Sequence, residues 1–271
     1  METTSTDRFS WGSVYRLETG ETGHWQIGPF RMWARRHPRE WFVSFVREPD
    51  SLRDTGSVQI PSRTEPEGNL TSRRFGFREP PAEIRLTPGL AERPVVTTPE
   101  EPFLLAPKEE TTLYVSTPVW IGVEVGEPPV KLLDEASRRP SDTWFGESTR
   151  TGELCYATRT RATLERANLP ARVHRALSVV HIRNRVGSLL GVEKLKLPAP
   201  NMSLFLDSDG HLWTEELTLD RIEEGRVAAV VLASGPPASA GDVDRVAGPR
   251  KKLEKGFLDR TFGGLMRELR G

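Results

Sequence analysis

Three shortages narrow this chain of 271 residues before any motif is read. It holds one cysteine, Cys155, so an internal disulfide framework is ruled out. No apolar run approaches the ~20 residues a helix needs to cross a bilayer. No secretory pattern precedes the first strand-like run. The expectation is a cytoplasmic protein, with membrane contact at most peripheral, at the inner membrane. Net charge is also missing. The 38 basic and 38 acidic residues cancel, which leaves no overall nucleic-acid footprint. Neither a Walker A sequence nor Gly-x-Gly-x-x-Gly occurs. His24, His37, His174, His181 and His211 are scattered and form no metal-type i, i+2 or i, i+4 pair. No metal and no cofactor are expected.

Glycine and proline, by contrast, are plentiful. With 23 glycines and 22 prolines, the two types make up about one residue in six, against an average near 12%. Both interrupt helices and mark turns, so the excess favours many short strands. Residues 26–35 and 40–47 are aromatic-rich runs either side of Arg36-His37-Pro38-Arg39, a hairpin signal. Residues 51–69 are polar and turn-rich and read as a surface loop. Strand-like runs then recur at roughly ten-residue spacing, the pattern of a sandwich or barrel. Residues 130–137, with Leu132, Leu133 and Ala136, read as a short helix.

Residues 234–249 are Gly/Pro/Ala/Ser-rich and read as a linker. Beyond them the period changes. On a helical wheel Leu258, Phe262, Leu265, Met266 and Leu269 fall within about 100° of arc, the width of a packing stripe. Residues 250–271 carry seven basic and three acidic residues. They read as a basic amphipathic helix whose destination is the protein's own β body, a partner protein or second copy, or an anionic membrane surface. The expected fold is therefore all-β: antiparallel β-sandwich units packed together, with a C-terminal helix after a linker. The expected divisions are 8–126, 127–233, 234–249 and 250–271.

Chemistry concentrates at 142–161, DTWFGESTRTGELCYATRTR. Ser148 lacks the following glycine of a strand-to-helix nucleophile elbow. Glu147 and Glu153 have the residue types of a general acid/base pair, or equally of two solvated strand positions. Arg159 and Arg161 share a strand face, as do His181, Arg183 and Arg185. If those two strands pair, they form, with Arg150, a guanidinium cluster suited to phosphate or carboxylate. Charge is uneven here: residues 92–135 hold nine acidic and three basic residues, residues 138–185 ten basic and four acidic. Either the two segments pair across a sheet, or the second keeps a field for an anion. Asp207-Ser208-Asp209-Gly210 matches part of a calcium loop, but lacks its later ligands and reads as a hairpin turn.

Thr143-Trp144-Phe145-Gly146-Glu147-Ser148-Thr149-Arg150, the 152–157 run, Pro118-Val119-Trp120, Arg183-Asn184-Arg185 and Leu212-Trp213-Thr214-Glu215 resemble the prokaryotic domain-of-unknown-function family 432. The resemblance spans roughly residues 10–235. It implies no catalytic residues. It does imply an accessory role at a membrane protein, a small-conductance mechanosensitive channel. Two functional readings follow from the sequence. One is a non-enzymatic regulatory or interaction protein with a protein partner. The other is a sensor or enzyme for an anionic small molecule, built around the Glu147 to Arg161 region.

Overall fold

The computed structural model describes residues 7–49, 56–146, 150, 152–224, 227–252, 258–260 and 262–263. Among them the regular structure is strand, apart from three-residue 3-10 turns at Arg166–Asn168, Ala199–Asn201 and Ala238–Ala240. The chain is all-β, in several largely antiparallel sheets. No described helix is long and apolar enough to cross a membrane. Two compact units emerge, each discontinuous in sequence. One comprises residues 1–89, 119–139 and 172–174, the other 90–118, 140–171 and 175–271.

The first unit holds an antiparallel six-stranded sheet ordered Asp7–Arg8, Gly56–Gln59, Thr22–Ile27, Phe30–His37, Glu40–Arg47, Thr71–Gly76. Strand alternation assigns its faces. Trp25, Met32 and Phe45 stand opposite one another in register, with Ala34 beside Val43, and all five are buried. The hairpin at 36–39 forms, with His37 paired to Glu40. The 26–35 run is not one strand. It folds back at Gly28-Pro29, where Gly28 takes φ +55 and Ile27 pairs Phe30. A strand, Gly56–Gln59, also occupies part of the expected 51–69 loop.

The helix expected at 130–137 is a strand, Val130–Ala136, in a four-stranded sheet ordered Val130–Ala136, Trp120–Val125, Glu83–Gly89, Val14–Arg16. The reason is a bulge. Val123 pairs Leu133 and Glu124 pairs Lys131, so Leu132 is the extra residue. Both leucines are therefore buried in succession. The bulge breaks the period of two that would have marked a strand.

The second unit is built on the ten-residue strand Arg175–Asn184. Glu110–Pro118 pairs along one edge, antiparallel, while Leu212–Trp213 and Leu217–Arg221 pair in parallel along the other. A smaller sheet runs Ser141–Phe145, Glu153–Ala157, Val95–Thr97, Lys194–Leu197, Phe262–Gly263, and a two-stranded ribbon joins Phe103–Leu105 to Leu190–Val192. Leu113, Val180, Ile182, Leu195, Leu197 and Leu217 belong to one buried cluster. Residues 234–249 contain strand Val243–Ala247, which pairs Leu204–Asp207.

The C-terminal helix needs correction. Leu258–Arg260 is extended and pairs Val227–Ala229, while Phe262–Gly263 pairs Lys194 and Leu195. Open sheet edges supply backbone partners directly, whereas a short isolated helix in water must first overcome an unfavourable nucleation step. Leu258 and Phe262 thus lie in strands, and Leu265, Met266 and Leu269 lie outside the described residues.

Candidate functional site

The 142–161 region begins as a hairpin. Ser141–Phe145 pairs Glu153–Ala157, with Asp142 opposite Tyr156, Thr143 opposite Cys155 and Phe145 opposite Glu153. Glu147 and Ser148 fall outside the described residues, and the Arg150 side chain is exposed. Glu153 makes an ion pair with Lys196 on strand Lys194–Leu197. The Lys196 side chain is only 3% exposed, and its ammonium stands 5.9 Å from the centre of the Phe145 ring. Cys155 is fully buried. On the other face the Tyr156 hydroxyl donates to Glu92 at 2.5 Å, and Arg93 lies over the Tyr156 ring while binding Asp142 at 2.9 Å. Burial, then the Glu92 carboxylate, push Tyr156 up to about 12.

The two basic strand faces do not meet. Glu110–Pro118 runs between them, pairing Arg161 through Ser116 on one edge and His181 through Thr112 on the other. Ser116 and Thr112 are four residues apart, roughly 13 Å along a strand. Arg161 binds Glu100 at 2.7 Å. The Arg159 side chain is exposed, and its carbonyl accepts a hydrogen bond from the buried Arg175 at 2.6 Å.

His181, Arg183 and Arg185 do line up, but each faces acid. The contacts are His181 to Glu216 at 3.7 Å, Arg183 to Glu110 at 3.3 Å and Asp220 at 3.9 Å, and Arg185 to Asp220 at 3.5 Å. A polar cleft of about 290 Å³ opens over this row, lined by Glu110, Thr111, Thr112, His181 and Arg183. The Thr112 hydroxyl lies 3.2 Å from His181 Nδ1. Three carboxylates beside two guanidiniums and one imidazole leave little positive field for a free anion. A second cleft of about 270 Å³, over Leu113 and Ala162, is rimmed by Glu100, Glu101 and Glu165 and is more hostile to anions still.

Asp207, Asp209 and His211 have potential ligand atoms within 4.8 Å of one another. The Asp207 carboxylate is already engaged: it accepts from the backbone N–H of Asp209 (3.0 Å) and His211 (2.8 Å) and from Trp213 Nε1 (2.9 Å). Burial works to raise its pKa, but these bonds outweigh it and hold the group below the usual carboxylate value. The geometry is that of a hairpin turn tied by its first residue.

Several features escaped the sequence reading. Asn184, between the two outward arginines, points inward by the same alternation and is fully buried, so its signal was present. Lys196 and Lys194 share a face by alternation, yet Lys194 is exposed and Lys196 buried, which no local pattern reveals. Among the large apolar side chains, Leu104, Leu189 and Trp144 stand well out of the surface.

These sheets and ion-paired strands define an all-β protein with none of the expected helix in its described C-terminal residues. The chain belongs to the family described as Protein of unknown function (DUF432), whose model matches residues 11–267. The match runs beyond the 10–235 resemblance and takes in most of the C-terminal segment. No curated protein and no solved structure matches the chain.

Proposed function

We propose that this is a non-enzymatic interaction protein and that the ribbon of Phe103–Leu105 with Leu190–Val192 is part of its docking face. The supporting observation is a pair of leucines. Leu104 is 70% exposed and Leu189 51% exposed. Leu104 pairs Gly191, and Leu189 immediately precedes the paired strand Leu190–Val192, so the two exposed leucines lie near one another at one end of the ribbon. Gly191 adds no side chain between them. Single exposed leucines are ordinary, but two adjoining on a narrow ribbon form the nucleus of a contact patch. The family resemblance extends this reading to a membrane-protein partner such as a small-conductance mechanosensitive channel, which would hold the protein peripherally at the inner membrane.

Affinity purification of the tagged full chain from its native cell tests the reading. A partner should co-purify with the wild type and be lost from Leu104→Asp/Leu189→Asp. Retention of every partner by that variant removes the ribbon from the proposal.

A second reading is a sensor for a small anion in the cleft over His181 and Arg183; it requires the anion to displace Glu110, whose exposure favours this, from Arg183, where Asp220 remains as a competing carboxylate. A thermal shift with phosphorylated metabolites that vanishes in Arg183→Ala would favour this reading over the first.

A further inference from the structure

Strand Ser141–Phe145 is an edge. Among the described residues it pairs only with Glu153–Ala157. Its outer side offers unpaired backbone donors and acceptors to another strand. The usual protections against such pairing are inward charge, proline within the strand, or a bulge. Its five residues, Ser-Asp-Thr-Trp-Phe, contain no proline, their pairing shows no register shift, and their one charge, Asp142, is already paired with Arg93 at 2.9 Å. Instead the strand carries Trp144, 51% exposed, the only large aromatic side chain so exposed among the described residues.

We propose that this strand pairs antiparallel with the same strand of a second copy about a two-fold axis at Thr143, joining the two five-stranded sheets edge to edge. Such an isologous contact requires a surface that complements itself. Pairing about Thr143 uses all five strand residues and sets position 142 opposite position 144 of the other copy. Directly opposite residues share a face. Trp144 of each copy therefore lands on Asp142 of the other, beside the Arg93 guanidinium that Asp142 holds at 2.9 Å and that already covers the Tyr156 ring at 5.1 Å. An indole placed against an oriented guanidinium is a favourable cation–π partner.

Other registers are poorer. Pairing about Asp142 sets the two Asp142 carboxylates face to face, a like-charge clash. Pairing about Trp144 moves the indole away from Arg93 and leaves Ser141 and Asp142 outside the matched strand. The contact is small by the standards of permanent dimers, so a concentration-dependent equilibrium is expected.

Sedimentation velocity of the full chain, from about 1 to about 100 µM, should show monomer converting to dimer. Trp144→Asp, a change at an exposed position, should weaken association at least tenfold by placing a carboxylate opposite Asp142. Circular dichroism confirms that the variant is folded. The register has its own test. A mixture of Asp142→Cys and Trp144→Cys chains should give a covalent dimer on mild oxidation, because position 142 of one copy faces 144 of the other and one Trp144–Asp142 contact is kept, whereas Asp142→Cys alone should not. A wild type that stays monomeric through this range, association indifferent to Trp144→Asp, or a mixture that does not cross-link would each overturn the proposal.

Discussion

The buried guanidinium of Arg221 donates through Nη1 to Asn184 Oδ1 at 3.3 Å, tying the ends of two adjacent parallel strands. The same Nη1 reaches the carbonyls of Ser188 and Leu189 at 3.2 Å, and Nη2 reaches Glu224 at 3.1 Å. Asn184 in turn donates to the carbonyls of Leu105, Ala106 and Ser188. The two side chains thereby satisfy a cluster of loop carbonyls beside the Leu104 ribbon.

Replacing Arg221 by alanine strands those acceptors inside the protein. Each buried polar group left without a partner costs about 1–3 kcal/mol, whereas Glu224, itself exposed, loses little. Arg221→Ala should therefore lower unfolding stability in urea by about 3 kcal/mol, through the stranded carbonyls. Arg221→Lys should rescue little, because one ammonium cannot reproduce the planar fork. Stability within about 0.5 kcal/mol of wild type would show the network to be dispensable.

Gly28 gives a sharper steric test. Its φ of +55 already disfavours a side chain, and an added Cβ would lie 2.1 Å from Nδ1 of the buried His174 ring. Gly28→Ala should destabilise by more than about 2 kcal/mol, combining left-handed backbone strain with overpacking. The two terms separate in a double-mutant cycle. With His174→Ala the steric part disappears and the backbone part stays, so the pair should couple favourably by about 1 kcal/mol or more. Simple additivity would mean that the ring is not what Gly28 accommodates.

His24 should make the protein lose stability as pH falls below the ordinary imidazole value of 6.5. The imidazole stacks on Trp33 at 4.8 Å, with the Arg31 guanidinium 5.3 Å from the same indole. Burial, then the Arg31 charge, lower its pKa below the usual 6.5. Between the folded pKa and 6.5 the unfolded chain binds more protons than the folded one, so stability falls as pH drops through that window. Above 6.5 the contribution is complete and flat. His24→Phe keeps a ring against Trp33 and removes the titration. Its melting temperature should therefore gain on wild type as pH falls from about 8 to about 5. A constant difference across that range would contradict the depressed pKa.

What the sequence disclosed follows from how local each feature is. The 36–39 hairpin and the Asp207–Gly210 turn depend on neighbouring residues, and both were legible. Faces were legible too: alternation put Arg183 and Arg185 outward together. Adjacency was not, because Glu110–Pro118 inserts beside Arg175–Asn184 from about 70 residues away in sequence. Strand Val130–Ala136 was hidden by its own bulge at Leu132. At the C-terminus, Leu258 and Phe262 fit a helical stripe, and only the open edges at Val227–Ala229 and Lys194–Leu195 favour the extended form.

Those edges decide the last prediction. An amphipathic helix on a free linker could be removed with the β sheets intact, and hydrogen exchange in the remaining strands would not change. The extended segment instead covers two edges: Leu258–Arg260 pairs Val227–Ala229, and Phe262–Gly263 pairs Lys194 and Leu195. Its approach is anchored as well, with Arg250 Nε on the Leu90 carbonyl at 2.6 Å and the Lys251 N–H on the Pro200 carbonyl at 2.8 Å. Deleting residues 250–271 strips amide partners from both edges, and exposed amides exchange from low-energy openings. Hydrogen-exchange mass spectrometry should therefore show faster exchange in peptides covering 194–195 and 227–229, while strand Phe30–His37 in the other unit keeps its protection. The deletion variant should also aggregate more readily, since the uncovered edge at Val227–Leu232 is almost wholly apolar. Unchanged exchange at both edges would restore the tethered helix as the better account of this segment.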